Sequence, residues 1–147
     1  MMNVRLARYD ELNHLLDLYR HLNPDDPDIS GAENIKSLWK EIFEDPGLFY
    51  IVAEEDGQLT ASCTLAVIKN LTRGARPYGL IENVVTHQGY RRRGYGKAIL
   101  NKAVEIAKGK NCYKVMLLTG RKDEGVHRFY EEAGFESGVK TGFIMKL

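Results

Sequence analysis

Cysteine is scarce. Cys63 and Cys112 stand far apart with no Cys-x-x-Cys pair, which excludes a disulfide framework or a thiolate zinc site and leaves both as expected core thiols. The four histidines, His14, His21, His87 and His127, are scattered without ligand spacing, so no metal site is expected. No apolar run approaches the roughly 20 residues that cross a bilayer. The opening MMNVRLARYD lacks the apolar stretch of a secretion signal, so no membrane partner is expected and the cytoplasm is the expected location. Excess charge of one sign is missing as well. Twenty-one Lys and Arg against 20 Asp and Glu leave a net charge of +1, which removes the global electrostatic case for nucleic acid. Repeats, low-complexity tracts and linkers are absent, and residues 1–147 are expected to form a single domain.

What is present is hydrophobic periodicity. Val4 to Ala7 alternates as a short strand. Asp10 then reads as an N-cap for a helix carrying Leu12, Leu15, Leu16 and Tyr19, which stops before Asn23-Pro24. Pro24 to Gly31 is an acidic loop. Ile35, Leu38, Trp39, Ile42 and Phe43 define a second helix, ended by Asp45-Pro46-Gly47. Leu48 to Ala53 and Leu59 to Ile68 form a hairpin through Glu55-Asp56-Gly57. After the connection from Asn70 to Pro77, a strand from Tyr78 to Val85 leads to an amphipathic helix from Gly94 to Lys108. The run KVMLL, Lys114 to Leu118, suits a central strand buried on both faces. A helix opening at Asp123 or Glu124 closes at Ala133-Gly134. Lys140 to Lys146 then reads as a last, edge strand. The order βααβββαβαβ predicts an α/β (α+β) domain with one mixed sheet, because a strand–helix–strand crossover requires parallel pairing.

Between the strand ending at Val85 and the following helix lies Gln88-Gly89-Tyr90-Arg91-Arg92-Arg93-Gly94-Tyr95-Gly96-Lys97. The first amides of a helix lack intrahelical partners, and the dipole is positive there. Glycines let an anion approach the backbone, and Arg and Lys side chains add charge-assisted hydrogen bonds. Arg-x-x-Gly-x-Gly in this setting is a sensible diphosphate receptor. Gly96-Lys97-Ala98 lacks the hydroxyl of a Walker loop, and no Gly-x-Gly-x-x-Gly follows the first strand. A basic surface turn that merely starts a helix remains the alternative at this point.

The loop has company. Ile81-Glu82-Asn83-Val84-Val85-Thr86-His87, then Arg91-x-x-Gly94-x-Gly96, then KVMLL, then Phe129-Tyr130-Glu131-Glu132-Ala133-Gly134-Phe135, with Tyr130 34 positions beyond Gly96, resembles the GNAT superfamily of acetyltransferases over about Leu80 to Phe135. The resemblance implies a mixed sheet of about six to seven strands flanked by four helices, and acetyl-CoA-dependent N-acetyltransfer. It implies that Arg91, Arg92, Arg93, Gly94, Tyr95, Gly96 and Lys97 hold the CoA pyrophosphate, while Val84, Val85 and Thr86 line the pantetheine arm. Tyr130 would protonate the departing CoA thiolate; without the resemblance it reads as a core aromatic. Asp123 stands where the family often has an asparagine contacting the CoA arm, and it also reads as an N-cap. Members of the superfamily often form homodimers through sheet edges or the C-terminal strand, which makes Leu59–Ile68 and Phe143-Ile144-Met145 the candidate edges here.

A primary amine with a pKa near ~10.4 is neutral in only about one molecule in 10³ at pH 7, so its deprotonation costs about 4–5 kcal/mol. A positioned carboxylate offsets part of that cost. Glu82, ionisable in an apolar strand, is the candidate base; the competing reading is a solvent-facing residue or an arginine's partner. Asn83, expected on the opposite face, and His87, in the loop, are weaker candidates. Asp25, Asp26, Asp28 and Glu33 between the first two helices would draw a cationic acceptor, such as a polyamine, aminosugar, aminoglycoside-like molecule or lysine side chain, although a solvated loop with helix caps is the favoured reading of them. Ile81 to Val85 is also similar to the matching strand of glucosamine-6-phosphate acetyltransferases, in which case Arg73 and Arg76 are the available cations. Three rivals stand beside the enzyme: a non-catalytic acyl-CoA sensor of the same fold, a nucleic-acid module built on Arg91-Arg92-Arg93, and a pure interaction protein that pairs through exposed edges.

Overall fold

A computed structural model describes residues 1–147. Asp56 and Gly57 both take positive φ, 51° and 78°, the type I′ geometry whose twist matches that of the strands it joins. It connects β2 (Leu48–Glu55) to β3 (Gln58–Ile68), and β1 (Asn3–Leu6) pairs antiparallel with the outer edge of β2. β4 (Tyr78–Thr86) lies antiparallel to β3, and β5 (Val115–Leu117) lies parallel to β4, giving the order β1-β2-β3-β4-β5.

Alternation along the strands divides the core between the two faces of the sheet. Ile51, Ala53, Ala61, Cys63, Leu65 and Ile81 meet Ile99, Leu100, Ala103 and Ala107 of α3 (Tyr95–Gly109) on one face. Val52, Leu59 and Val85 meet Leu15 and Leu18 of α1 (Leu12–Tyr19) and Trp39 of α2 (Ile35–Glu44) on the other. Trp39 settles there because its indole Nε1–H donates to the Tyr9 carbonyl at 2.7 Å. From the last helix, α4 (Glu124–Glu132), Phe129 and Tyr130 pack against the α3 side of the core.

Several expectations need correction. Asp10 is not the first N-cap. A 3-10 turn spans Tyr9–Glu11, and the carboxylate of Glu11 accepts the Arg8 N–H at 2.7 Å while gripping the Arg5 guanidinium. Leu18, not Leu16 or Tyr19, joins Leu15 on the fully buried stripe of α1. The run KVMLL is an edge strand rather than a central one. Nor is it buried on both faces, since Val115, Met116 and Leu117 are only half-buried and Leu118 is exposed; an apolar run carries no information about whether a backbone edge is paired. Lys140 to Lys146 forms no strand. The tail touches the body near Leu118, where a Cβ on Gly142 would fall 2.7 Å from a leucine methyl, and Phe143 beyond it is 96% exposed. The sheet therefore has five strands, not six or seven.

The feature that shapes the site is a β-bulge. Thr64 pairs with Glu82 and Ser62 with Val85, so Asn83 and Val84 together stand opposite Cys63. Asn83 takes φ 54° to accommodate the extra residue. The pairing of β4 with β5 ends at Ile81 and Leu117, just before the bulge. Beyond it, β4 continues alone from Glu82 to Thr86 and the two strands splay apart.

Candidate active site

Three structures converge on this splay. The first is the amino end of α3. Gly94 occupies its N-cap position at φ 86°, no side chain caps it, and a Cβ there would meet nothing within 4 Å. Its left-handed backbone is the reason for glycine at this position, and the space above it is open. Arg91, Arg92, Arg93 and Lys97 are exposed around this terminus. Tyr95 is buried, bonded through its hydroxyl to Glu55 and stacked edge-on against Tyr90. Burial and sequence together thus divide the loop into a basic outer rim and an aromatic inner anchor.

The second is the free edge of β4. His87 N–H bonds the Thr60 carbonyl at 2.7 Å, and in an antiparallel ladder alternate residues face the partner strand. Thr86 therefore turns its N–H and C=O away from β3 toward the splay, where its carbonyl accepts from Arg91 Nε at 3.4 Å. Val84 packs partly on the α3 side, and Val85 is buried on the α1 side. These residues present a strand edge, which is the ordinary receptor for an extended amide-bearing ligand.

The third is α4. Asp123 is its N-cap, with Oδ1 accepting the Val126 N–H at 2.9 Å. Phe129 packs on Gly96, while Tyr130 stacks edge-on against Phe129 at 5.0 Å and Phe135 at 6.5 Å. Burial holds the Tyr130 phenol above its usual 10.0, with Arg121 acting in the opposite sense and Cys63 adding to the rise. Cys63, the residue opposite the bulge, is thus among the groups that act on the phenol. A groove of about 980 Å³ runs from Tyr130 along the bare edge of β5 beneath the tail. It contains no residue of the Arg91–Lys97 loop.

Glu82 is exposed, stands across the ladder from Thr64, and takes part in no ion pair, so the reading of it as an arginine's partner fails. The bulge takes Asn83 out of simple alternation with it. His87 is poorly placed as a base: Nδ1 accepts the Gly89 N–H at 2.9 Å, and its ring is flanked by those of His21 and Tyr90. Arg73 and Arg76 are far from the splay, at the opposite end of β4. Arg76 bonds the carbonyls of Asn111 and Cys112 at 3.2 and 3.0 Å, and Arg73 covers the Tyr113 ring. Of the acidic loop, Asp28 caps Ser30 and lies 3.6 Å from Arg20, and the loop is otherwise open to solvent. Sequence reasoning missed His21, whose ring lies 4.2 Å from that of His87. It also missed the buried hydroxyls of Tyr19 and Thr64, which have no hydrogen-bond partner. Helical spacing made Tyr19 an ordinary core position, and nothing in a single chain signals a contact between distant histidines.

Comparison with known proteins agrees with this architecture. The model of the acetyltransferase (GNAT) family matches residues 15–135. A glucosamine 6-phosphate N-acetyltransferase of Trypanosoma brucei brucei is 33% identical over 138 residues, covering 92% of this chain and 90% of the relative. A solved structure from Agrobacterium tumefaciens, assigned as an acetyltransferase, superposes with a TM-score of 0.93 at 48% identity, covering 99% of each chain. A Trypanosoma brucei acetyltransferase superposes with a TM-score of 0.81 at 31% identity, covering 100% of each. With the family pattern spanning the loop, the splayed strands and α4, the chain belongs to the GNAT family and is an acetyl-CoA-dependent N-acetyltransferase.

Proposed function

We propose that the splay holds the pantetheine arm of acetyl-CoA and that the acetyl group passes by direct attack to the primary amine of an aminosugar. The observation that carries this reading is the run of β4 from Glu82 to Thr86, which keeps β3 on one edge and has no strand on the other, next to the uncapped end of α3. Amides of the first turn of α3 receive the diphosphate, and Arg91, Arg92, Arg93 and Lys97 neutralise it. Gly94 and Gly96 keep the backbone close, and Tyr95 anchors the loop from inside. The edge of Val84, Val85 and Thr86 pairs with the amides of the arm.

In the chemical step the amine nitrogen bonds to the thioester carbonyl carbon and the carbon–sulfur bond breaks. Glu82, directly or through water, accepts the proton that the amine loses. Tyr130 gives its proton to the leaving thiolate, a role supported by the burial that keeps the phenol protonated at neutral pH. Asp123 serves by capping the helix that carries Tyr130. The products are an N-acetyl amide and free CoA.

The aminosugar is favoured by the relative that acts on glucosamine 6-phosphate. Because Arg73 and Arg76 lie at the wrong end of β4, the phosphate is not assumed. A thiol-release assay with acetyl-CoA should compare glucosamine, glucosamine 6-phosphate, an aminoglycoside, a polyamine and a lysine peptide, with Tyr130→Phe as control. Release with either sugar supports the reading, release only with the polyamine or peptide moves the acceptor class, and no release from any amine overturns it. We also propose a homodimer, built where the bare edge of β5 and the exposed Phe143, Ile144 and Met145 invite a second copy. Sedimentation of the purified chain as a monomer would remove that part.

A further inference from the structure

The carboxyl end of β4 enters a 3-10 turn, Gln88–Tyr90, that leads directly into Arg91. Two imidazoles hold this turn. His87 Nδ1 accepts the Gly89 N–H at 2.9 Å. His21, just past the end of α1, crosses 67 positions of sequence so that its Nδ1 accepts the Gln88 N–H at 3.4 Å. The two rings lie 4.2 Å apart with a 38° tilt. Tyr90 meets the His87 ring edge-on at 5.4 Å and the Tyr95 ring at 5.6 Å. A line of rings therefore runs from the end of α1 to the first residue of α3.

A nitrogen that accepts an N–H carries no proton, so each ring turns a bare Nδ1 to its backbone N–H. Protonating His21 would set a new donor against the Gln88 N–H and place a cation against the His87 ring 4.2 Å away. The charged group bearing on His21 from the loop is Arg91, also a cation. Arg93 lies over the far face of the Tyr90 ring, adding a third positive group on that side. On the α1 side, Asp17 and Arg20 face each other at 3.9 Å, and Arg20 also reaches Asp28.

We propose that His21 is a positioning residue for acetyl-CoA: stacked on His87 and bonded to Gln88, it fixes the turn that aims Arg91–Gly96 at the diphosphate, and it releases that turn when its own imidazole is protonated. This rests on the reading of Arg91–Lys97 as the diphosphate site. Burial, then His87 and Arg91, keep the His21 imidazole below its ordinary 6.5. The ordered turn is thus complete above that pH and is lost as pH falls through the lowered folded value.

Calorimetric titration of the full chain with coenzyme A tests the idea without an acceptor. His21→Ala should weaken binding about fivefold at about pH 7.5, the loss of one hydrogen bond and a ring contact. His21→Phe keeps a ring against His87 and has no proton to take. It should bind within about twofold of wild type at that pH and weaken less than wild type when the titration is repeated near about pH 5.5. Comparing the two proteins removes the ionisation of coenzyme A itself. Arg91→Ala, run alongside, reports on the loop directly. If Arg91→Ala weakens binding while His21→Ala does not, the role of His21 is overturned and the loop stands. If Arg91→Ala binds as wild type, the diphosphate assignment falls, and this inference with it. Identical pH responses of wild type and His21→Phe also overturn the switch. Should His21→Ala not fold, that last comparison still decides.

Discussion

Phe129 closes over Gly96 so tightly that a Cβ on Gly96 would stand 2.9 Å from its Cζ and 3.2 Å from its Cε1. The two sequence motifs of the site therefore touch. Gly94 is glycine for its left-handed backbone, whereas Gly96 is glycine because an aromatic ring from α4 occupies the place of a side chain. Tyr130 is covalently next to that ring, so the Arg91–Lys97 loop and the phenol are held in one packed unit.

Gly96→Ala should accordingly destabilise the protein by about 1–3 kcal/mol, the usual cost of overpacking. Denaturant unfolding would measure it. Gly96→Ala with Phe129→Leu should recover part of the loss, because the shorter side chain vacates the ring edge. A single variant as stable as wild type would show that the ring moves freely.

Tyr130→Phe should lower kcat by about 10²-fold, at the lower end of general acid contributions, with the KM for acetyl-CoA little changed. The far-ultraviolet spectrum and melting temperature should match wild type, since the ring contacts with Phe129 and Phe135 persist. An unaltered kcat would exclude the phenol as proton donor.

Glu82→Gln should depress turnover most near neutral pH, where about one amine in 10³ is unprotonated, and recover as pH approaches the amine's ~10.4. The pH–rate profile of the variant decides this. A profile parallel to wild type removes Glu82 from proton transfer.

A pH effect on stability should arise away from the site. Glu11 bonds Arg5 at 2.8 and 2.9 Å and accepts the Arg8 N–H at 2.7 Å. The Arg5 hydrogen bonds, opposed by burial and aided by the Arg8 amide, hold its carboxyl below the usual 4.5. This stability is fully present above about 4.5 and is lost as pH falls through the lowered folded value. Glu11→Gln should therefore cost about 2–3 kcal/mol at neutral pH, and the variant should converge with wild type in acid. Thermal melts at several pH values would reveal the convergence, and a constant gap would refute it.

Much of the architecture was legible because it is written in local chemistry. Asp56-Gly57 fits a turn with two positive φ values, and Asn23-Pro24 and Asp45-Pro46-Gly47 end helices. The amphipathic spacing of Ile99, Leu100, Ala103 and Ala107 places one face of α3 on the sheet. These signals act within a few residues, so they survive without a partner. The readings that failed concerned edges: KVMLL ended outermost, Leu59–Ile68 lies between β2 and β4 instead of at an edge, and Lys140–Lys146 found no strand to join. Backbone pairing depends on what lies alongside, which hydrophobicity does not encode.

The sequence by itself determined the order of elements, the glycine-rich loop at a helix terminus, and the aromatic motif that identifies the family. Only the tertiary structure decided where these meet. It placed the bulge at Asn83 and Val84, where two residues compete for the space opposite Cys63 and drive β4 away from β5. It gave Gly96 its neighbour in Phe129, and it set His21 against His87. Each is a contact between residues distant in the chain, and such contacts arise from packing the whole sheet between its helices rather than from any local preference.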